Sequence, residues 1–248
     1  QSWARGAASQ AVVAHELLHA IQYGIWIPAD SWLLEGSAEW AGFAAGNYSP
    51  FGGVALAATL AAPDMSLDCE SEACGNDLYE SGGYSRWGFF QYLSERYGSL
   101  FFRDVLARGA SLADPTATGS SLVAGTLVAK GTTLSAVFDE YVLTHLAGGY
   151  QTTALKEMAP ATHSVAPTGN VSGSLPVQRV AVNHLASRYL KFTRGGATEG
   201  PCYTAKLTLT VGLPSGLGAK PAFYSKSLGA SPVALTVNGD TASATVPW

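Results

Sequence analysis

Apolar positions recur at helical spacing through the first two thirds of the chain and then give way to short alternating runs. Val12, Val13, Leu17, Ile21 and Ile25 predict a helix over residues 10–25 with one apolar stripe, capped by Ser9 and closed by Pro28. Asp30 or Ser31 can cap a second helix over 32–45, which Gly46-Asn47 would end. Residues 52–62 make a third helical stretch stopped by Pro63, and 65–83 reads as loop. Further helices are predicted over 84–97, ending at Gly98, over 99–108, ending at Gly109, and over 133–146, before Gly148-Gly149.

Beyond Pro160 the period changes. Residues 177–181, 189–192, 203–211 and 233–237 are short β-branched or alternating runs separated by Pro, Gly and Asn-Gly signals. Asn238-Gly239-Asp240 followed by 241–246 predicts a terminal hairpin. The expected class is α+β: a mainly helical domain over 1–160, then a small β-sandwich-like domain over 161–248 whose last strands would lie beyond the segment. Starting on Gln1 and stopping straight after a strand-like run, the chain reads as a piece of a longer protein.

Composition narrows the classes. Of 248 residues 47% are hydrophobic, enough for a core, while only 13% are charged, which argues against a coiled coil or a charged disordered tail. Lys+Arg 14 against Asp+Glu 18 leaves a net charge of -4 with no basic cluster, so nucleic acid is not an expected partner. The longest apolar stretch, 52–62, falls well short of a membrane span. Cys69 and Cys74 are close enough for a small disulfide loop, and with Cys202 alone left over a thiolate zinc site is not expected. Low charge and a local disulfide favour an exported protein.

The chemistry concentrates at His15-Glu16-Leu17-Leu18-His19. Residues four apart on a helix share a face, so His15 and His19 can hold one tetrahedral ion. Glu16 is angled away from the pair yet close to the water such an ion would activate. The second predicted helix carries Glu35 and Glu39, again four apart, on a segment otherwise apolar or small. Burying both without a cation would be costly. Either they line the helix's wet face, or Glu35 completes the metal site and Glu39 accepts a ring N–H from a ligand histidine. His145, His163 and His184 carry no such pattern and are expected to serve packing or surface; His145 could reach a cleft, but its neighbours Phe138, Tyr141 and Leu146 suit a core.

His-Glu-x-x-His followed by Trp32-Leu33-Leu34-Glu35-Gly36-Ser37-Ala38-Glu39-Trp40 resembles the gluzincin clan of zinc peptidases. Within it, little-characterised exported bacterial peptidases with a C-terminal β-domain are the nearest in pattern. The resemblance covers about a sixth of the chain and is specific to the clan rather than to a substrate. It implies Zn2+ held by His15, His19 and Glu35, Glu16 as general base, Glu39 supporting a ligand histidine, and a secreted or cell-surface bacterial enzyme acting on a peptide or protein. Related peptidases place a tyrosine at the start of a comparable helix, which makes Tyr84 the candidate oxyanion donor and Arg86 a weaker second. The 15 residues between His19 and Glu35 are fewer than in the best-known members, so a tight connection is expected. The sheet that lines the substrate cleft in the clan would lie upstream of Gln1.

Two rival functions remain at the level of sequence. One is a catalytically degenerate surface protein whose β-domain binds a glycan or cell-wall polymer, with Tyr189, Phe192, Tyr203, Phe223 and Tyr224 as stacking candidates; a sandwich core explains the same aromatics. The other is an adhesive protein with a structural metal, which would more usually be closed by a fourth protein ligand. Asn47-Tyr48-Ser49 and Asn170-Val171-Ser172 match the short N-glycosylation pattern.

Overall fold

A computed structural model describes residues 2–25, 30–46, 63, 65–69, 83–112, 114, 116–147, 149–151, 163–165, 184–192, 206–212, 221–224 and 232–247. The predicted helix over 52–62, the strand over 177–181, Cys74 and both glycosylation motifs lie outside them. The described residues are mostly helical with small sheets, an α+β arrangement. The helices are α1 (Ser2–Ile25), α2 (Ser31–Gly46), a short 3-10 turn (Tyr84–Arg86), α3 (Trp87–Tyr97), α4 (Phe101–Leu112), α5 (Gly119–Ala129) and α6 (Leu134–Ala147). The strands are β1 (His163–Val165), β2 (Leu190–Phe192), β3 (Lys206–Gly212), β4 (Phe223–Tyr224), β5 (Pro232–Val233), β6 (Thr236–Asn238) and β7 (Thr241–Pro247).

The chain divides into two compact units, Gln1–His163 with Gln178–Tyr189, and Ser164–Val177 with Leu190–Trp248. Residues 184–189 thus belong with the helices, not with the β-rich part where the sequence pattern puts them. Backbone bonds explain the assignment: Leu67 N–H donates to Leu185 O, and Ser187 N–H to Pro63 O. Tyr189, a candidate for the β-domain, donates its hydroxyl to the Val142 carbonyl of α6.

In the helical unit α2 is the central element, packed on α1, α3, α5 and the 3-10 turn. Trp32, Leu33 and Phe43 of α2 join Trp87, Phe89, Phe90 and Leu93 of α3, Phe102, Val105 and Leu106 of α4, and Leu122, Val123 and Leu127 of α5 in one core. Aromatic pairs knit it, with Phe43 stacked on Trp87 at 4.6 Å and Trp32 on Phe90 at 5.6 Å.

Five local readings change. Helix α1 begins at Ser2, so Ser9 lies inside it rather than capping it; the Ala-rich start is a strong helix former and needs no break there. The stripe of Val12, Val13, Leu17, Ile21 and Ile25 is exposed, and α1 instead buries Ala11, His15, His19 and Gln22 against α2. Helix α4 runs through Gly109, which is buried and lets the helix face close up, and stops at Leu112. Helix α5 has no counterpart in the sequence reading, yet Thr118 caps it by accepting from Ser121 N–H. Asp30 stands before α2, but its carboxylate accepts from Gly119 N–H at the start of α5.

In the second unit β3, β7 and β6 form an antiparallel sheet, with Leu209 opposite Ala244 and Asn238 opposite Thr241. The predicted hairpin is present, turning through Gly239 at φ +55° and Asp240. β4 pairs with β5 and β1 with β2. Among the described residues no single helix is long and apolar enough to cross a membrane.

Candidate metal centre

His15 and His19 face the same side of α1 because they are one helical turn apart, and that side is the one α2 covers. Glu35 stands on the facing side of α2. His15 Nε2 and His19 Nε2 lie 3.0 Å apart, and Glu35 Oε2 lies 3.5 Å from the first and 3.3 Å from the second. A four-coordinate ion with bonds of about 2.0–2.1 Å spaces its ligand atoms about 3.3–3.4 Å apart, so the three atoms already form one face of such a tetrahedron. Glu35 Oε2 is buried beside those two imidazole nitrogens, the surroundings of an oxygen that shares a cation with them. This is the group of three metal-capable side chains found among the described residues.

The electrostatics agree. Burial alone would disfavour a charged His15, but the Glu35 and Glu39 carboxylates outweigh it and push the imidazole up to about 9. Burial likewise opposes ionised Glu35, yet hydrogen bonds from His15 and Tyr84 and the charge of His19 hold it below the usual carboxylate range. The cluster therefore favours a positive charge at its centre, whether a proton or a metal ion.

Around the three atoms stand the supporting groups. Glu39 is 1% exposed, and its Oε2 lies 3.2 Å from His15 Nδ1, so it is on the buried face rather than the wet one. His19 Nδ1 meets Gln22 Oε1 at 2.8 Å. Gln22 is absent from the motif as read in sequence; its position one turn after His19 was the available signal.

Glu16 stays exposed on α1 between the two histidines, and its charge reaches the Tyr84 phenol. Tyr84 opens the 3-10 turn, lies parallel to the His15 ring at 5.8 Å and hydrogen-bonds Glu35. Burial first, then the carboxylates of Glu35, Glu39 and Glu16, push it up to about 12, so it remains a hydroxyl donor at ordinary pH. Gly83 makes this approach possible: a Cβ there would lie 2.4 Å from the Ser31 carbonyl oxygen and 2.8 Å from Glu35 Cβ. Gly36, next to the ligand, has Phe90 and Arg86 where its Cβ would be.

The weaker donor candidate, Arg86, is instead 2% exposed and gives Nη2 to the Ser66 carbonyl, tying the 65–69 turn to the start of α3. Cys69 of that turn is disulfide-bonded. His145 is buried against Tyr150 and Tyr141, as its neighbours predict, and His184 is exposed beside Asp68. Compared with known protein families, curated proteins and solved structures, the chain finds no match.

Proposed function

We propose that this chain is a zinc-dependent peptidase of gluzincin type, exported by a bacterium, which hydrolyses peptide bonds in a peptide or protein substrate. The observation that carries the reading is the 3.0–3.5 Å triangle of His15 Nε2, His19 Nε2 and Glu35 Oε2, with the Glu35 oxygen buried. Two imidazoles and one carboxylate are the donor set of catalytic zinc, which keeps a fourth position open. When bound, zinc polarises a carbonyl and makes water a nucleophile near neutral pH.

The chain's own groups then divide the work. Glu16, exposed beside the ligand pair, takes the proton of the attacking water and hands it to the departing amine. Tyr84, kept protonated and already donating to Glu35, is placed to turn its hydroxyl toward the carbonyl oxygen as charge develops there. Glu39 holds His15 in the orientation that points Nε2 inward. A zincin-like arrangement for the helical unit and a β-sandwich-like one for the strands belong to the same proposal; α1 and α2 facing each other across the cluster support the first.

The test is elemental analysis of protein purified without added metal or chelator, followed by a protease assay. The reading expects about one zinc per chain and activity that Glu16→Gln abolishes, by about 10²–10⁴-fold, without releasing the zinc. A wild-type chain that binds no divalent metal would sink it, as would a Glu16→Gln protein with full activity.

A further inference from the structure

Gln22 is wholly buried, uses both ends of its amide, and plays no part in the motif that identifies the site. Its Nε2 donates to Ser37 Oγ at 2.9 Å and to the Leu34 carbonyl at 3.3 Å. The Ser37 hydroxyl proton is already directed at the Leu33 carbonyl, 2.6 Å away, so its oxygen is left to accept. A backbone carbonyl can only accept. Reversing the Gln22 amide would put Oε1 against the Leu34 oxygen, two acceptors facing each other in a buried place. The amide therefore has one orientation, with Oε1 turned to His19 Nδ1 at 2.8 Å. Because Oε1 also only accepts, the His19 ring must carry a proton on Nδ1, and in the neutral ring, the form that can bind a metal, the lone pair then lies on Nε2.

We propose that Gln22 is a positioning residue for the metal centre: anchored to the α2 backbone, it locks His19 in the Nδ1–H form that presents Nε2 to the ion. The proposal rests on the metal-centre reading above. It also gives the two histidines unlike supports, a carboxylate behind His15 and a neutral amide behind His19. The amide adds no further negative charge to a cluster that already holds Glu35 and Glu39. The helix supplies the geometry, since positions 19 and 22 lie on one face, and α2 supplies the polarity through carbonyls that cannot be reversed.

The experiment compares wild type, Gln22→Met and Ser37→Ala. Methionine matches glutamine in length without offering the amide acceptor, while Ser37→Ala disturbs the same layer and leaves Oε1 in place. Long-range ¹H–¹⁵N spectra of ¹⁵N-histidine-labelled, metal-free protein read the tautomer directly. Wild type and Ser37→Ala are expected to show His19 as Nδ1–H, and Gln22→Met a shift toward Nε2–H. Zinc affinity by chelator competition is expected to fall about 10–100-fold in Gln22→Met and by much less in Ser37→Ala. An Nε2–H wild-type His19, or equal loss of affinity in both variants, overturns the proposal, and the wild-type spectrum decides even if Gln22→Met fails to fold. A wild type that binds no zinc defeats the peptidase reading instead, whereas zinc bound equally tightly by wild type and Gln22→Met defeats only the role of Gln22.

Discussion

Each residue of the centre differs in what its removal takes away. Glu39 touches no ligand atom, but without it His15 Nδ1 loses the carboxylate 3.2 Å away. Glu39→Ala is expected to weaken zinc about 10–100-fold in chelator competition, with Glu39→Gln recovering part of the loss through its remaining acceptor. Equal affinity in wild type and Glu39→Ala would mean the carboxylate does not orient the ring. Tyr84→Phe keeps the ring that stacks on His15 and removes only the hydroxyl. Zinc content should stay near one per chain while kcat falls about 10²–10³-fold with little change in KM, the pattern of a group that acts only as charge develops. A change confined to KM would assign the hydroxyl to substrate binding.

At the scale of elements, the site depends on how closely three segments approach. The Gly83 backbone runs against Ser31 and Glu35, and no side chain fits between them. Gly83→Ala should therefore displace the Tyr84 turn or the start of α2, lowering stability by about 1–3 kcal/mol and reducing activity together; a thermal melt and a turnover assay read the two effects. A melt unchanged from wild type would show that the approach is looser than described. Helix α1 shows why apolar periodicity misleads at such a site. Val12, Val13, Leu17, Ile21 and Ile25 face outward because the inward face must present His15, His19 and Gln22 to α2. The cost of burying those polar groups is offset by hydrogen bonds and by the cation the cluster favours.

In the helical unit, one buried group sensitive to acid has no part in the proposed chemistry. His145 sits at the end of α6, with Nδ1 bonded to Tyr150 and Nε2 buried without a partner among the described residues. Burial pushes it down from 6.5 to about 4. The unfolded chain therefore takes up a proton between those values that the folded chain refuses. The contribution of His145 to stability is full above about pH 6.5 and falls by about 1.4 kcal/mol per unit of pH down to about 4, a loss on the order of 3 kcal/mol. Melts of metal-free wild type and His145→Gln at pH 7 and pH 5 check this. The variant should show a smaller drop on acidification, and equal drops would place the acid sensitivity elsewhere.

Local pattern alone determined the elements whose signals are local. Gly98 ends α3 at φ +91° and Asn238-Gly239-Asp240 turns a hairpin with Gly239 at φ +55°, because a positive φ needs no distant partner. The His15–His19 pair was legible for the same reason, since spacing of four places side chains on one face before any tertiary contact forms, while Glu35 stood out only through its pairing with Glu39 and the family resemblance. Tertiary structure decided what spacing cannot express. It chose which face of α1 is buried, carried α4 past Gly109, and turned the Asp30 carboxylate to the start of α5 while the Asp30 carbonyl accepts N–H groups from the first turn of α2. It also brought Gln22 against the carbonyls of α2 and Tyr84 against Glu35. Those outcomes turn on which group lies opposite in three dimensions, and a buried polar atom takes the partner that packing supplies.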